Sequence, residues 1–105
     1  MGQFAVHAHP DPGTRARIPF LMDIQSDLLS VLATRLVVPL YRREAAGPMT
    51  MSRLTPTLRF QDLDLVAMVP EMAGIPSRVL GNPIGEAPAL RAEILQALDL
   101  LSTGF

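Results

Sequence analysis

The chain contains no cysteine, no lysine and no tryptophan. Without cysteine, a disulfide framework, a thiolate nucleophile and a Cys-ligated zinc site are all excluded. Without lysine, all nine cations are arginines, and they are scattered through the sequence against ten acidic residues for a formal net charge of -1. An electrostatic nucleic-acid binder carries a basic stripe, which is missing here. The lysine deficit reads as nucleotide-composition bias rather than as a binding signal. No apolar run approaches the ~18 residues that span a bilayer, and no basic-then-apolar leader opens the chain. The expectation is a cytoplasmic protein with no membrane attachment. Glycine-rich phosphate loops are missing as well.

What is present suits a small β-rich domain. At 105 residues the chain reads as one domain over 1–105, close to the small end of what folds alone, so a dimer interface would add useful burial. Its apolar share of 49% is that of a globular protein. Ten prolines, spread from end to end, disfavour long helices and a flat sheet and favour short, bent strands.

Alternation over Phe4 to His9 predicts a strand, stopped by the loop Pro10-Asp11-Pro12-Gly13. Ile18 to Asp23 reads as a second strand, with Gln25-Ser26-Asp27 as the turn that ends it. Periodicity leaves Leu28 to Leu32 open between strand and helical turn. Thr34 to Arg42 is β-branched and apolar but contains Pro39, which points to an edge or a bulge. Ala45-Ala46-Gly47-Pro48 breaks the chain and reads as a mobile loop. Leu58, Phe60 and then Leu63 to Val69 form an expected hairpin around Gln61-Asp62. Pro70 and Pro76 bracket an irregular piece, Met72 to Ile75, and Ser77 to Leu80 is a candidate last strand before Gly81-Asn82-Pro83. A helix is expected from about Pro88 to Ser102, with Leu90, Ile94, Ala97, Leu98 and Leu101 on one stripe and Gln96, Asp99 and Thr103 on the opposite face. Gly104 stands where a left-handed cap belongs, with Phe105 folding back on Leu100. The fold class is therefore mostly β (α+β): a small, partly open barrel with the C-terminal helix packed across it.

Candidate chemistry is thin. His7 and His9 have a metal-like spacing, but zinc needs three or four ligands and these are the chain's two histidines. They read as two solvent-side residues on an edge strand. Asp62 and Asp64 are a carboxylate pair at a turn, where aspartate is expected for backbone hydrogen bonding. Ser26 beside Asp27 lacks the glycine elbow of a nucleophile. No enzyme signature survives, no catalytic residue is assigned, and neither a cofactor nor a metal is expected.

Several segments, in order and at near-constant spacing, resemble the CcdB family of toxin–antitoxin toxins. Gln3-Phe4-Ala5-Val6 resembles its N-terminal strand, and Asp23-Ile24-Gln25-Ser26-Asp27-Leu28-Leu29 is similar to its Asp-Val-Gln-Ser-Asp-Ile-Ile segment. Arg35-Leu36-Val37-Val38-Pro39-Leu40 is similar to Arg-Met-Val-Ile-Pro-Leu, and Met72-Ala73-Gly74-Ile75-Pro76 to Met-Ala-Ser-Val-Pro, with Val79-Leu80-Gly81 following at the family's distance. Gly104 comes one residue before the end, as in the family. The resemblance implies an SH3-like barrel with a small second sheet and a C-terminal helix, assembled as a homodimer. It further implies poisoning of DNA gyrase through its A subunit, neutralisation by a cognate antitoxin with a disordered tail, and contact with DNA only through the toxin–antitoxin complex, which represses its operon.

By segment matching, the gyrase-binding positions implied by the resemblance are Ser26, Leu28, Leu29, Gln96, Asp99, Thr103, Gly104 and Phe105. One departure stands out: gyrase poisons of the family end in Trp-Gly-Ile, whereas this chain ends in Thr103-Gly104-Phe105. An alternative is thus a non-poisoning homologue that binds antitoxin and acts as a co-repressor. A third reading, an endoribonuclease on the same barrel, would need basic and acid–base residues clustered over a groove, and the near-neutral, dispersed charge speaks against it.

Overall fold

The computed structural model describes residues 3–25, 32–47, 52–87 and 90–103, without the side chains of Ser52 and Thr103. Its strands are β1 (Ala5–Ala8), β2 (Phe20–Asp23), β3 (Thr34–Arg42), β4 (Thr57–Phe60), β5 (Leu63–Ala67), β6 (Ala73–Pro76) and β7 (Gly85–Glu86). A one-turn helix α1 (Arg43–Ala46) follows β3, and α2 (Arg91–Thr103) ends the described chain. Every strand pairing is antiparallel, in the order β4-β5-β3-β2-β1-β7, with β6 branching from the first half of β3. The curled sheet with one helix across it is the mostly-β, SH3-like α+β architecture expected from the sequence, although the described strands form one continuous sheet and not a barrel with a small second sheet.

The alternation of side chains assigns the two faces. Val6, Phe20, Met22, Val38, Leu40, Leu65 and Ala67 point inward and meet Leu90, Ile94 and Ala97 of α2 in the main core. Burial of each large aliphatic group there is worth roughly 1.5–3 kcal/mol. The outer face is covered too: Leu21, Val37 and Leu80 form one cluster, and Tyr41, Ala46, Val66 and Met68 another. Two-sided burial explains why β2 and β3 are near-continuous apolar runs.

That arrangement corrects the placement of Thr34 to Arg42. β3 lies at the centre of the sheet, between β2 on one side and β6 and β5 on the other. Its proline is tolerated because the second partner changes there. β6 pairs as far as Val37, β5 begins at Leu40, and the Pro39 carbonyl on that side accepts from the Met68 N–H at 3.0 Å. The missing N–H of Pro39 falls in the seam between two partners, where no ladder bond is lost.

Other expectations sort by the same logic. The Gln61-Asp62 turn is present, both residues at positive φ (49° and 64°), which suits the twist of a two-residue hairpin. The Pro10–Gly13 loop is held by Asp11, whose carboxylate accepts from the Thr14 hydroxyl (2.7 Å) and the Gly13 N–H (3.0 Å). These bonds, the Thr14 one foremost, hold the Asp11 carboxyl below its ordinary pKa. Met72 to Ile75 is not irregular: Ala73–Pro76 is β6, recruited by the open flank of β3. Ser77 to Leu80 is not a strand, since Ser77–Val79 forms a 3-10 turn closed by the Leu80 N–H on the Ser77 carbonyl. The expected break at Ala45–Pro48 begins as α1, which Gly47 ends at φ 66°. Pro48, Pro88, Gly104 and Phe105 lie outside the described residues, and with them the start of the expected helix and its cap.

Candidate protein-binding face

Helix α2 is built from strong helix formers, Ala, Leu, Glu, Gln and Arg. Ile94 and Ala97 bury completely, Leu98 is half-buried, and the opposite side is exposed. Gln96 and Asp99 lie on that exposed side, as their spacing predicts. Leu101 departs from the expected stripe: it is 41% exposed.

The helix packs against the 3-10 turn Ser52–Leu54, which brings Arg53 alongside it. Arg53, Gln96, Asp99 and Leu100 line a cavity of about 180 Å³. It adjoins a second of about 390 Å³, which Arg53 and Gln96 share with Thr57 and Glu93. A guanidinium, an amide and two carboxylates therefore meet along one side of α2, able to donate to and accept from a polar partner surface. Leu95, 42% exposed, sits one turn before Asp99 and adds an apolar contact point. Sequence reasoning missed Arg53, Glu93 and Leu95. The helical spacing carried a signal for Glu93 and Leu95, whereas Arg53 joins the face only through tertiary packing.

Ser26, Leu28, Leu29, Gly104 and Phe105 lie outside the described residues, and Thr103 is described only as the last helical residue of α2. The stems of the 26–31 segment are firmly built. Asp23 Oδ2 receives Arg35 Nε–H at 2.7 Å, and Asp23 Oδ1 receives the Gln25 N–H at 2.9 Å. Gln25 Oε1 in turn accepts from the Leu36 N–H at 3.0 Å, and Gln3 Nε2 donates to the Ile24 carbonyl at 3.1 Å. The end of β2 and the start of β3 are thus clamped through buried polar groups.

The histidines require a correction. β1 lies inside the sheet between β2 and β7, and His7 is fully buried, with Nδ1 2.8 Å from the Gly81 carbonyl. It anchors the segment after Leu80 to the outer face instead of facing solvent. His9 is half-buried, and its Nδ1 accepts from the Asp11 N–H at 3.0 Å. Asp62 stands in the exposed hairpin turn, and Asp64 pairs with Arg59 across the hairpin at 3.0 Å.

The ordered segments, the curled sheet and the terminal helix converge with one comparison: a family model described as CcdB protein matches residues 3–104. The chain belongs to the CcdB family. Membership makes it a toxin of a toxin–antitoxin system. In this CcdB-family chain, no helix among the described residues is long and apolar enough to cross a membrane.

Proposed function

We propose that this CcdB-family toxin acts on DNA gyrase, binding the A subunit as a homodimer and inhibiting topoisomerase action. The observation that carries this reading is the exposure of Gln96 and Asp99 on α2 of a chain matched to the family over residues 3–104. Ser26, Leu28, Leu29, Thr103, Gly104 and Phe105 complete the contact set by segment matching. Binding and shape do the work, without a catalytic residue or cofactor. The protein is cytoplasmic and is neutralised by its cognate antitoxin, and DNA is reached only through their complex. The test is capture of a gyrase A fragment by the purified protein, alongside growth arrest on expression. Retention of the fragment at micromolar concentration and its loss in a Gln96→Ala/Asp99→Ala variant are the expected results, and failure of the parent protein to bind removes the reading.

A second reading rests on the terminal Thr103-Gly104-Phe105, where gyrase poisons of the family carry Trp-Gly-Ile. An interface tryptophan is commonly a hot spot worth at least ~2 kcal/mol. A homologue without it would bind antitoxin and repress its operon while sparing gyrase. Tight antitoxin binding with no growth arrest selects this second reading.

A further inference from the structure

Among the described residues the sheet does not close on itself, and β4 and β7 end its main path. The curl brings those ends together: a methyl group on Gly85 of β7 would stand 2.5 Å from Cζ of Phe60 in β4. Beside this contact an open trough of about 450 Å³ runs between the two edges, with Thr57, Arg59 and Phe60 on one wall and Glu86, Leu90 and Glu93 on the other.

Ladder parity fixes which backbone groups face the trough. In the β4–β5 hairpin, the pairs Phe60–Leu63 and Leu58–Leu65 exchange hydrogen bonds, and the series continues with the Ala67 N–H on the Pro56 carbonyl at 2.8 Å. Thr57 and Arg59 therefore direct their N–H and C=O groups away from β5. On β7 the Ala87 N–H bonds the Phe4 carbonyl at 3.0 Å, so the peptide groups of Glu86 lie on the side away from β1. Neither edge has a further strand partner among the described residues.

Charge narrows what fits. Glu86 and Glu93 are exposed, and neither forms an ion pair among the described residues. The one cation on the walls, Arg59, is engaged by Asp64 at 3.0 Å. The trough is left with two exposed carboxylates outside any ion pair among the described residues, Glu86 and Glu93 (the latter shared with the cavity beside Arg53), above an apolar floor of Phe60 and Leu90. Exposed strand edges pair with whatever strand arrives unless charge selects the partner, and here the selection is for a cation.

We propose that the gap between β4 and β7 is a strand-acceptor site for an extended segment of a partner protein that carries an arginine or lysine. The segment adds to the β4 edge through the peptide groups of Thr57 and Arg59 over about 13 Å, the length of a four-residue strand. Its cation faces Glu86 and Glu93, and its apolar side chain rests on Phe60 and Leu90. The site shares Thr57 and Glu93 with the cavity beside Arg53, but its argument does not rest on the gyrase reading.

The test is titration of the ¹⁵N-labelled full chain with a capped Thr-Val-Arg-Val-Thr peptide, with the same peptide carrying Glu in place of Arg as control. The expected result is shifts at the Thr57, Arg59 and Glu86 amides, slowed exchange of the Arg59 N–H, and preference for the Arg peptide by about tenfold. Arg59→Pro and Arg59→Ala both remove the side-chain pair with Asp64, and the proline alone also removes a trough-facing donor while leaving the ladder to β5 intact, so Arg59→Pro abolishes binding while Arg59→Ala retains it. Should the proline variant not fold, Glu86→Gln/Glu93→Gln on the surface serves instead and erases the preference for the Arg peptide. No shifts at millimolar peptide, shifts elsewhere, equal binding of both peptides, or the same amides moving on dilution of the free protein (a second copy in the gap) would each overturn the proposal.

Discussion

Arg35 donates Nε–H to Asp23 at 2.7 Å across the β2–β3 pair, and both side chains are sealed from water. Asp23 pairs in register with Val37, which makes Arg35 its diagonal neighbour on the outer face. The carboxylate also holds the Gln25 N–H, so a single group ties two strands and the chain leaving β2.

Removing one partner strands the other charge in a low-dielectric site. Asp23→Ala is expected to cost about 3–5 kcal/mol, a large part of the 5–15 kcal/mol typical of a whole domain. Asp23→Leu/Arg35→Met, which removes both charges, should recover most of it. Urea unfolding of the three proteins measures this, and a loss below about 1 kcal/mol in Asp23→Ala would show that the pair does not hold the strands.

None of this was legible in the sequence. Asp23 stood among several acids, and Arg35 among arginines that looked dispersed over a surface. Alternation identifies one buried face of a strand, but it does not announce that a second layer, here the segment around Leu80 and Gly81, covers the other. His7 was misplaced for the same reason, and Pro39 because a change of strand partner leaves no local trace. Helix α2 was legible because its apolar period is its own. Of the candidate site, Gln96 and Asp99 could be read from helical spacing, whereas Arg53 depended on which turn packs beside the helix.

Tyr41 gives the stability a pH dependence at its alkaline end. Its hydroxyl donates to Glu71 at 2.5 Å, and burial together with that carboxylate raises its pKa above the ordinary 10.0. The unfolded chain ionises first, so the folded state loses stability as pH rises through 10.0 toward the folded value, while the contribution is fully present below. Tyr41→Phe should lower stability at neutral pH by about 1.5–3 kcal/mol, the usual worth of a hydrogen bond to a charged group, and should flatten the alkaline fall. Unfolding midpoints on either side of pH 10 compare the two proteins, and parallel curves would exclude Tyr41 as the source.

Gly85 and Phe60 form a steric lock between the sheet's two ends. A methyl on Gly85 would stand 2.5 Å and 2.7 Å from ring carbons of Phe60, whose ring also meets Phe20 edge-on at 5.3 Å between centroids. Gly85→Ala must push that ring out of its packing, at a cost of about 1–3 kcal/mol. Phe60→Leu should absorb the methyl, so the double variant is less destabilised than the sum of the singles. Additive losses in a double-mutant cycle would show that the ring moves freely.

Restoring an aromatic at the end of α2 distinguishes the two functional readings. Thr103 is the last residue of the helix and follows Asp99 by one turn, and it stands where gyrase poisons of the family carry tryptophan. If this face contacts gyrase, Thr103→Trp adds a hot-spot side chain of about 2 kcal/mol, close to thirtyfold in affinity. Antitoxin binding through other surfaces should change little. Calorimetric titration with a gyrase A fragment and with the antitoxin separates these effects. A variant that gains nothing toward gyrase, although its parent binds, would place the target contact away from the last turn of α2.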